Sequence, residues 1–372
     1  MMHIITIDSP REWDAVMQTA RMSTFYHSHA YHTFCERRGE GQSLLFVYRE
    51  GDFVIGLPVL IRPLGEGGGF AGDLGVWRDA TSVYGYVGPV CSRDKVAASV
   101  VARFQKALGK TLFERRVIAV FSRLHPLIPN GRLIEGLGDQ QCCGVTVAID
   151  LTLPPEEQVR RFRDSDRRRI KGLRKKGMTV VYDEKKEHLS EFATIYTQTM
   201  RRVGARDSFF FDEAYFRGMC ELAPERTHLF VVKYEGNIIS GGFLMEAGGV
   251  LEYHSCGTRS EYLPLSPAKL MLDEIRLWGC SRGLLSLHLG GGTGGENDQL
   301  LYFKTGFSDR VHPFSIWRWV IDQDAYEIAC RYKAARDACL RMKVAIPNFF
   351  PAYRSPVTPE PETASPAALL PN

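Results

Sequence analysis

The chain has 372 residues, more than one hydrophobic core usually organises, so two domains of ordinary size are expected. Its 44% hydrophobic, 11% aromatic and 24% charged residues exclude a collagen-like, mucin-like or disordered polymer and suit a globular protein. The net charge is only +4, and the start, Met1-Met2-His3-Ile4, carries no basic and apolar leader. No apolar run is long enough to span a bilayer, so a cytoplasmic protein without a transmembrane segment is expected. The nine cysteines are odd in number and form no C-x-x-C pair, which argues against a disulfide framework and against a structural metal site. Cys142-Cys143 reads as part of a partly buried strand.

Taken in order, the first half opens with a helix from Ala30-Tyr31, followed by LLFVYREGDFVIG (Leu44 to Gly56), two β-branched strands joined by a Glu50-Gly51-Asp52 turn. Arg62 to Gly67 spells R-x-x-G-x-G, a signature of acyl-CoA loops, but Gly68, Gly69 and Gly72 follow without helical periodicity, so the match reads as accidental. A helix opened by Ser92 is expected over Asp94 to Leu108, with strands at Val117 to Phe121 and Val145 to Leu151.

About 185 residues further on the same order returns. Ala214-Tyr215 opens a helix, and HLFVVKYEGNIISG (His228 to Gly241) repeats the strand, turn and strand around Glu235-Gly236-Asn237. Helices at His188 to Arg202 and Asp212 to Leu222 flank it, with strands at Thr227 to Lys233, Ile238 to Met245 and Val250 to Gly257. Ser266-Pro267 begins a helix ending at Arg282-Gly283; then come a strand at Leu284 to Leu289, a short helix at Leu300 to Thr305 and a strand at Phe314 to Ile321. The repetition predicts two tandem α/β (α+β) domains, each a mixed sheet flanked by helices, with boundaries at 1–153 and 154–345. Pro154-Pro155 is the join, and the Pro-rich segment 346–372 is expected to be disordered.

Charge concentrates just after the join, in RRRIKGLRKKGMTV (Arg167 to Val180). Ser165 is a candidate cap for a helix there, with Ile170 and Leu173 facing inward and few counter-charges apart from Asp164 and Asp166. Arg167, Arg168, Arg169 and Lys171 would then present a cationic face to nucleic-acid phosphates or an anionic head group.

With these elements in place, the chain resembles the Fem family of peptidoglycan bridge-forming aminoacyltransferases, built from two acetyltransferase-like (GNAT) domains in tandem. The resemblance rests on the basic run, on YTQTMRRVG (Tyr196 to Gly204), EYHSCGT (Glu252 to Thr258) and SPAKLMLDEIRLW (Ser266 to Trp278), and on LHLGGGTGGENDQLLYFKTGF (Leu287 to Phe307). No sustained heptad stretch occurs, so this looks like the shorter type without a coiled-coil arm. The resemblance implies an aminoacyl-tRNA donor and an amine acceptor on a peptidoglycan precursor or small peptide, with no bound cofactor and no DNA. The weak pyrophosphate loops in both halves favour this donor over acyl-CoA, which stays as the alternative, as does a binding module without catalysis.

The resemblance implies that Lys304, in a Phe303-Lys304 pair, neutralises charge on the attacked carbonyl oxygen. The spacing of Leu300, Phe303, Lys304 and Phe307 sets that cation beside an apolar helical stripe, and a snorkelling lysine is the alternative. Tyr253 and His254 point to opposite faces of one strand. Tyr253 is the implied acceptor contact, while His254 is a candidate general base because a neutral imidazole accepts an amine proton near pH 7. His288, between Leu287 and Leu289, reads as mostly structural. Arg202 is the implied anchor for an acidic or phosphate group of the acceptor, and Arg37 is the first-half candidate nearest to the family's lysine. Gly291 and Gly292 could turn backbone N–H groups toward a phosphate, or simply connect strand to helix.

Overall fold

The computed structural model describes residues 2–65, 75–129 and 131–359. The first half runs β1 (Met2–Thr6), α1 (Pro10–Thr19), α2 (His29–Arg37), β2 (Gln42–Glu50), β3 (Phe53–Pro63), β4 (Arg78–Thr81), β5 (Val90–Cys91), α3 (Ala98–Glu114), β6 (Val117–Arg123) and β7 (Asp139–Asp150). The second runs α4 (Pro155–Arg160), α5 (Asp164–Lys175), β8 (Thr179–Tyr182), α6 (Leu189–Arg202), α7 (Glu213–Leu222), β9 (Thr227–Tyr234), β10 (Asn237–Ala247) and β11 (Val250–Thr258). It ends with α8 (Ala268–Ser281), β12 (Ser286–Gly291), α9 (Gln299–Lys304), β13 (Val311–Val320) and α10 (Gln323–Cys339).

The repeated turns fold alike: Gly51 closes β2 onto β3 and Gly236 closes β9 onto β10, each at positive φ where glycine carries no Cβ penalty. The repeated helices also start alike. Ser28 Oγ accepts the Tyr31 N–H at 3.2 Å, and Asp212 Oδ1 accepts the Tyr215 N–H at 2.8 Å, so each side chain satisfies one orphan donor at its helix start. These two helices, α2 and α7, pack against each other across the seam.

Thirteen strands form one mixed sheet in the order β1-β2-β3-β4-β6-β13-β7-β12-β11-β10-β9-β8, with β5 attached to β3. Read from either end, the pairings are the same: antiparallel neighbours, one parallel step (β4 with β6, β11 with β12), then an antiparallel strand at the centre. The two halves therefore share one strand order, as the repeat requires. The exchange at the centre is not visible in the sequence. β7 leaves its own half to pair with β12, β13 crosses to pair with β6, and the two pair with each other. β7 ends and α4 begins around Pro154-Pro155, and each half is completed by the other's last strand.

Helices cover both faces. α6 and α7 bury Phe192, Ile195, Phe216 and Met219 against the seam face together with Phe25, Tyr31 and Phe34 of the first half. On the opposite face α5, α8 and α9 bury Ile170, Leu173, Leu270, Met271, Ile275 and Leu301, together with Phe307 just beyond α9. At roughly 1.5–3 kcal/mol for each fully buried large side chain, these clusters fix both sheet faces.

Four expectations change. Ser92 does not open α3, whose cap is Ala97; its hydroxyl accepts the Val54 N–H instead. Ser266 is the left-handed residue closing a 3-10 turn at Ser260–Leu265, and α8 begins after Pro267. Ser165 lies inside the first turn of α5, whose cap is Arg163. The segment from Ile346, expected to be disordered, is held to the fold as far as residue 359: Tyr353 is buried beside Ile118 and Ala329, and Arg354 bonds Asp79 Oδ2 at 2.8 Å and the Pro63 carbonyl at 2.8 Å. Residues 360–372, and Gly67, Gly68, Gly69 and Gly72 of the glycine run, lie outside the described residues. No helix among the described residues is long and apolar enough to cross a membrane.

Candidate active site

The sheet opens between its two parallel strands in the second half. β11 and β12 pair only at Val250 with Ser286, Leu251 with Leu287 and Glu252 with His288. Beyond that point β11 stays with β10 as far as Thr258, while β12 turns to β7 through a bulge between His288 and Gly290, so a gap widens between them. The matching place in the first half is closed. After Thr81 pairs with Phe121, Val87 bridges Leu124 and its N–H bonds the Arg123 carbonyl at 2.7 Å. The loop that closes it carries Tyr84 and Tyr86 to the seam, so the first half lends side chains to an opening in the second.

Lys304 stands at that opening. Asp298 caps α9 by accepting the Leu301 N–H at 2.9 Å, which sets the helix so that Leu301 and Lys304 are its buried residues. Leu300, expected on the apolar stripe, is 40% exposed, whereas Lys304 is 8% exposed. The lysine is on the buried stripe, not beside it. Its Nζ donates to the Gly291 carbonyl at 2.6 Å, the one hydrogen bond it makes among the described residues, which leaves two of its three N–H donors unspent. Burial pulls its pKa down to about 8, opposed by Cys256 and Asp298. A weakly solvated cation with unspent donors at a sheet opening is suited to meeting negative charge on a bound carbonyl. Tyr253, from the flank of the gap, has a buried hydroxyl with no hydrogen-bond partner.

Tyr253 and His254 face opposite ways, as alternation predicts: Tyr253 packs with the α8 side, His254 with the seam. His254 is enclosed by Tyr26, Tyr31, Tyr84, Phe211 and Tyr215. Its Nε2 meets the Tyr215 hydroxyl at 2.9 Å and its Nδ1 the Tyr26 hydroxyl at 3.4 Å. Burial drives its pKa down to about 3, with Glu252 pulling the other way. Both nitrogens are occupied, so the geometry gives His254 a positioning role and no open lone pair for an amine.

Three residues meet at the apex of the gap: Glu252, His125 and His288, the last expected to be mostly structural. Glu252 Oε1 lies 2.8 Å from His125 Nε2, and Oε2 lies 2.7 Å from His288 Nδ1, all buried. Such a trio has the donor set of a metal site, but the Leu127 N–H donates to His125 Nδ1 at 3.2 Å. His125 therefore carries its proton on Nε2 and donates it to Glu252, which makes the trio a hydrogen-bond network. Burial alone would raise the Glu252 pKa; His288 and His125 overcome it and hold the carboxylate at about 2. Strand alternation does place Glu252 on the His254 face, but nothing in sequence signals His125, 127 residues away.

The remaining candidates scatter. Phe303 is half-buried against Phe307 and supports α9. Gly291 accepts from Lys304, and a Cβ at Gly292 would collide with Glu296 and Asp298, so both glycines serve close backbone packing. Arg202 is exposed at the far end of β11, where it bonds the Thr258 carbonyl at 3.2 Å and Ser260 Oγ at 3.1 Å. Arg37 is exposed, and it is Arg38 that lies over the Tyr215 ring at 5.1 Å, because one residue rotates the side chain about 100° around a helix.

The basic run has more counter-charges than expected. Arg174 meets Asp273 at 2.6 Å and Glu274 at 2.5 Å, and Arg167 pairs with Asp164; just before the run, Arg161 reaches Glu157 and Asp309. Arg168, Arg169, Lys171, Lys175 and Lys176 remain exposed without an ion pair among the described residues. Arg168, Arg169 and Lys176 line a surface cavity of about 330 Å³ with Gly172 and Leu265. The run connects to the opening through Arg163, which stacks on Tyr302 at 3.9 Å and bonds its carbonyl at 3.1 Å.

Residues 160–316 match the family described as acetyltransferase (GNAT) domain. No curated protein matches the chain. Among solved structures the chain is similar to FemX, with TM-score 0.66 and 15% identity over 88% of this chain and 99% of that one. It is similar to the C-terminal domain of a putative lysylphosphatidylglycerol synthetase from Agrobacterium fabrum, with TM-score 0.51 and 14% identity over 90% of this chain and 96% of that one. A third likeness is to L-PGS from Bacillus licheniformis, with TM-score 0.51 and 12% identity over 84% and 92% of the two chains. The fold is thus Fem-like, and the residues that match the GNAT-domain family span the opening and Lys304.

Proposed function

We propose that this acyltransferase of GNAT fold forms an amide, moving an aminoacyl or acyl group from an activated carrier to an amine acceptor bound in the opening between β11 and β12. The observation that carries the reading is Lys304, a nearly buried cation with unspent donors at the only one of the two equivalent openings that stays open. In the reaction the amine nitrogen attacks the donor carbonyl, negative charge collects on the carbonyl oxygen, and the Lys304 ammonium stabilises it. Tyr253 lines the acceptor side, and Arg202, at the outer end of β11, holds an acidic or phosphate group of the acceptor.

For the donor we infer aminoacyl-tRNA. The unpaired cations of α5 supply a face for phosphates, and Arg163 and Tyr302 join that face to α9 and Lys304. The name of one similar structure, a lysylphosphatidylglycerol synthetase, also pairs an aminoacyl group with its acceptor. A peptidoglycan precursor or small peptide is the acceptor class the Fem-like fold favours. The test is incubation of the protein with charged tRNA pools or acyl-CoA pools in the presence of peptide amines. Amine-dependent loss of the aminoacyl group from tRNA is expected, and Arg168→Glu with Arg169→Glu should weaken tRNA binding and flatten its salt dependence. Turnover with acyl-CoA and none with charged tRNA would replace the donor.

A further inference from the structure

Acyl transfer to an amine releases a proton, and the site as described above has no base. Of the histidines around the opening, His254 has both nitrogens against tyrosine hydroxyls. His125 gives one nitrogen to Glu252 and the other to the Leu127 N–H. His288 differs. Its Nδ1–H is held by Glu252 Oε2 at 2.7 Å, while its Nε2 is buried with no hydrogen-bond partner. A carboxylate that fixes Nδ1–H leaves the Nε2 lone pair free, the arrangement that makes an imidazole a proton acceptor.

Its location supports that use. Glu252 and His288 are the last residues paired between the parallel strands, so the imidazole sits at the apex of the gap. His288 is 1% exposed and cannot meet an acceptor directly. Tyr86, brought from the first half, lies edge-on to it with ring centroids 5.3 Å apart, and is itself only half-buried. A Cβ built at Gly290 would stand 3.9 Å from the Tyr86 hydroxyl and 3.3 Å from Lys304 Nζ, which places phenol and ammonium on the same glycine. Gly290 has a φ of +72°, so the bulge that provides this space is suited to glycine.

We propose that Tyr86 and His288, the latter oriented by Glu252, carry the proton of the transfer reaction, a step that rests on the acyl-transfer reading above. The Tyr86 hydroxyl is not hydrogen-bonded to His288 Nε2 in this structure, so the relay requires the phenol to close onto that lone pair when the acceptor binds; as the amine nitrogen bonds the acyl carbon, its proton then passes to the Tyr86 oxygen while the Tyr86 proton passes to His288 Nε2. When the bond from the acyl carbon to the carrier breaks, the same path runs backward and protonates the leaving atom. The balance closes without any other reactant. Tyr86 touches the acceptor; His288 and Glu252 are positioning residues behind it. The titratable groups facing His288 are Glu252, His125, Tyr86 and, more distantly, His312.

The experiment compares wild type, Tyr86→Phe, His288→Gln, Glu252→Gln and the Tyr86/His288 double variant in the donor assay across pH, with thermal melts alongside. Each single variant should lose roughly a hundredfold in kcat at little change in KM, and the double variant should lose no more than the worse single one, since two links of one relay are not additive. The kcat/KM pH profiles of wild type and His288→Gln should differ in shape. Superimposable profiles, additive losses, or losses that follow melting temperature in every variant including the conservative Tyr86→Phe would overturn the relay. A wild-type protein that transfers no acyl group from any donor would instead overturn the acyl-transfer reading beneath it.

Discussion

His27 and His32 are fully buried in the first half, and burial drives both pKa values down to about 3; neighbouring His125 and His32 add to this at His27, while a backbone contact at Tyr26 opposes it at His32. In the unfolded chain both return to about 6.5, so below that pH the unfolded state binds protons that the folded state refuses. Stability is therefore complete above pH 6.5 and declines as pH falls toward 3. Integrated between pH 7 and pH 5, the loss is about 2 kcal/mol for each histidine, or about 4 kcal/mol for the two. His32→Phe isolates one of them. The ring keeps its place 5.0 Å from Trp13 and loses only nitrogens that have no hydrogen bond by geometry. Urea unfolding at pH 7 and pH 5 should show wild type losing about 2 kcal/mol more than the variant. An identical pH dependence in the two proteins would refute the claim that His32 is buried neutral.

Asp79, fully buried, bonds Arg62 at 2.7 Å and Arg354 at 2.8 Å, so Asp79→Asn should cost about 3–5 kcal/mol by leaving two guanidiniums without their anion. The same variant should expose the segment around 345–359 to limited proteolysis; resistance equal to wild type would show that Arg354 is not what holds it. Gly144 has a φ of +150° and a Cβ there would collide with the Gly295 backbone, so Gly144→Ala should lower the melting temperature through both strain and overlap. Gly290→Ala should reduce turnover more than stability, because the added methyl meets Lys304 and Tyr86; a variant as active as wild type would show that the bulge is not part of the site.

Local signals in the sequence were strong wherever the physics is local. The paired E-G turns, the Asp212 helix start and the alternation of Tyr253 and His254 all follow from turn geometry, capping and strand period. What escaped depends on chain segments far apart. The exchange of β7 and β13 is invisible because each strand satisfies the same pairing pattern in either half. Glu252 looked like one more strand residue until His125 and His288 arrived from elsewhere. Arg37 and Arg38 are indistinguishable by composition, and only the docking of α2 on α7 selects Arg38 to face Tyr215. Lys304 shows both sides: a Phe-Lys pair on a short helix was legible, but its place on the buried stripe came from the Asp298 cap, which set the helix phase one residue from the expected one.

The central claim is that the Lys304 charge serves the transition state, and Lys304→Met tests it most directly, since methionine keeps the long apolar stem and deletes the ammonium. Burial costs this cation a shift from 10.5 to about 8, worth about 3 kcal/mol, so removing the charge should leave stability unchanged or raised. Turnover and substrate affinity of the variant, measured beside its melting temperature, give the answer. The account predicts intact fold and binding with kcat lower by roughly a hundredfold or more. Full turnover, or a loss of activity matched by a loss of stability, would contradict it.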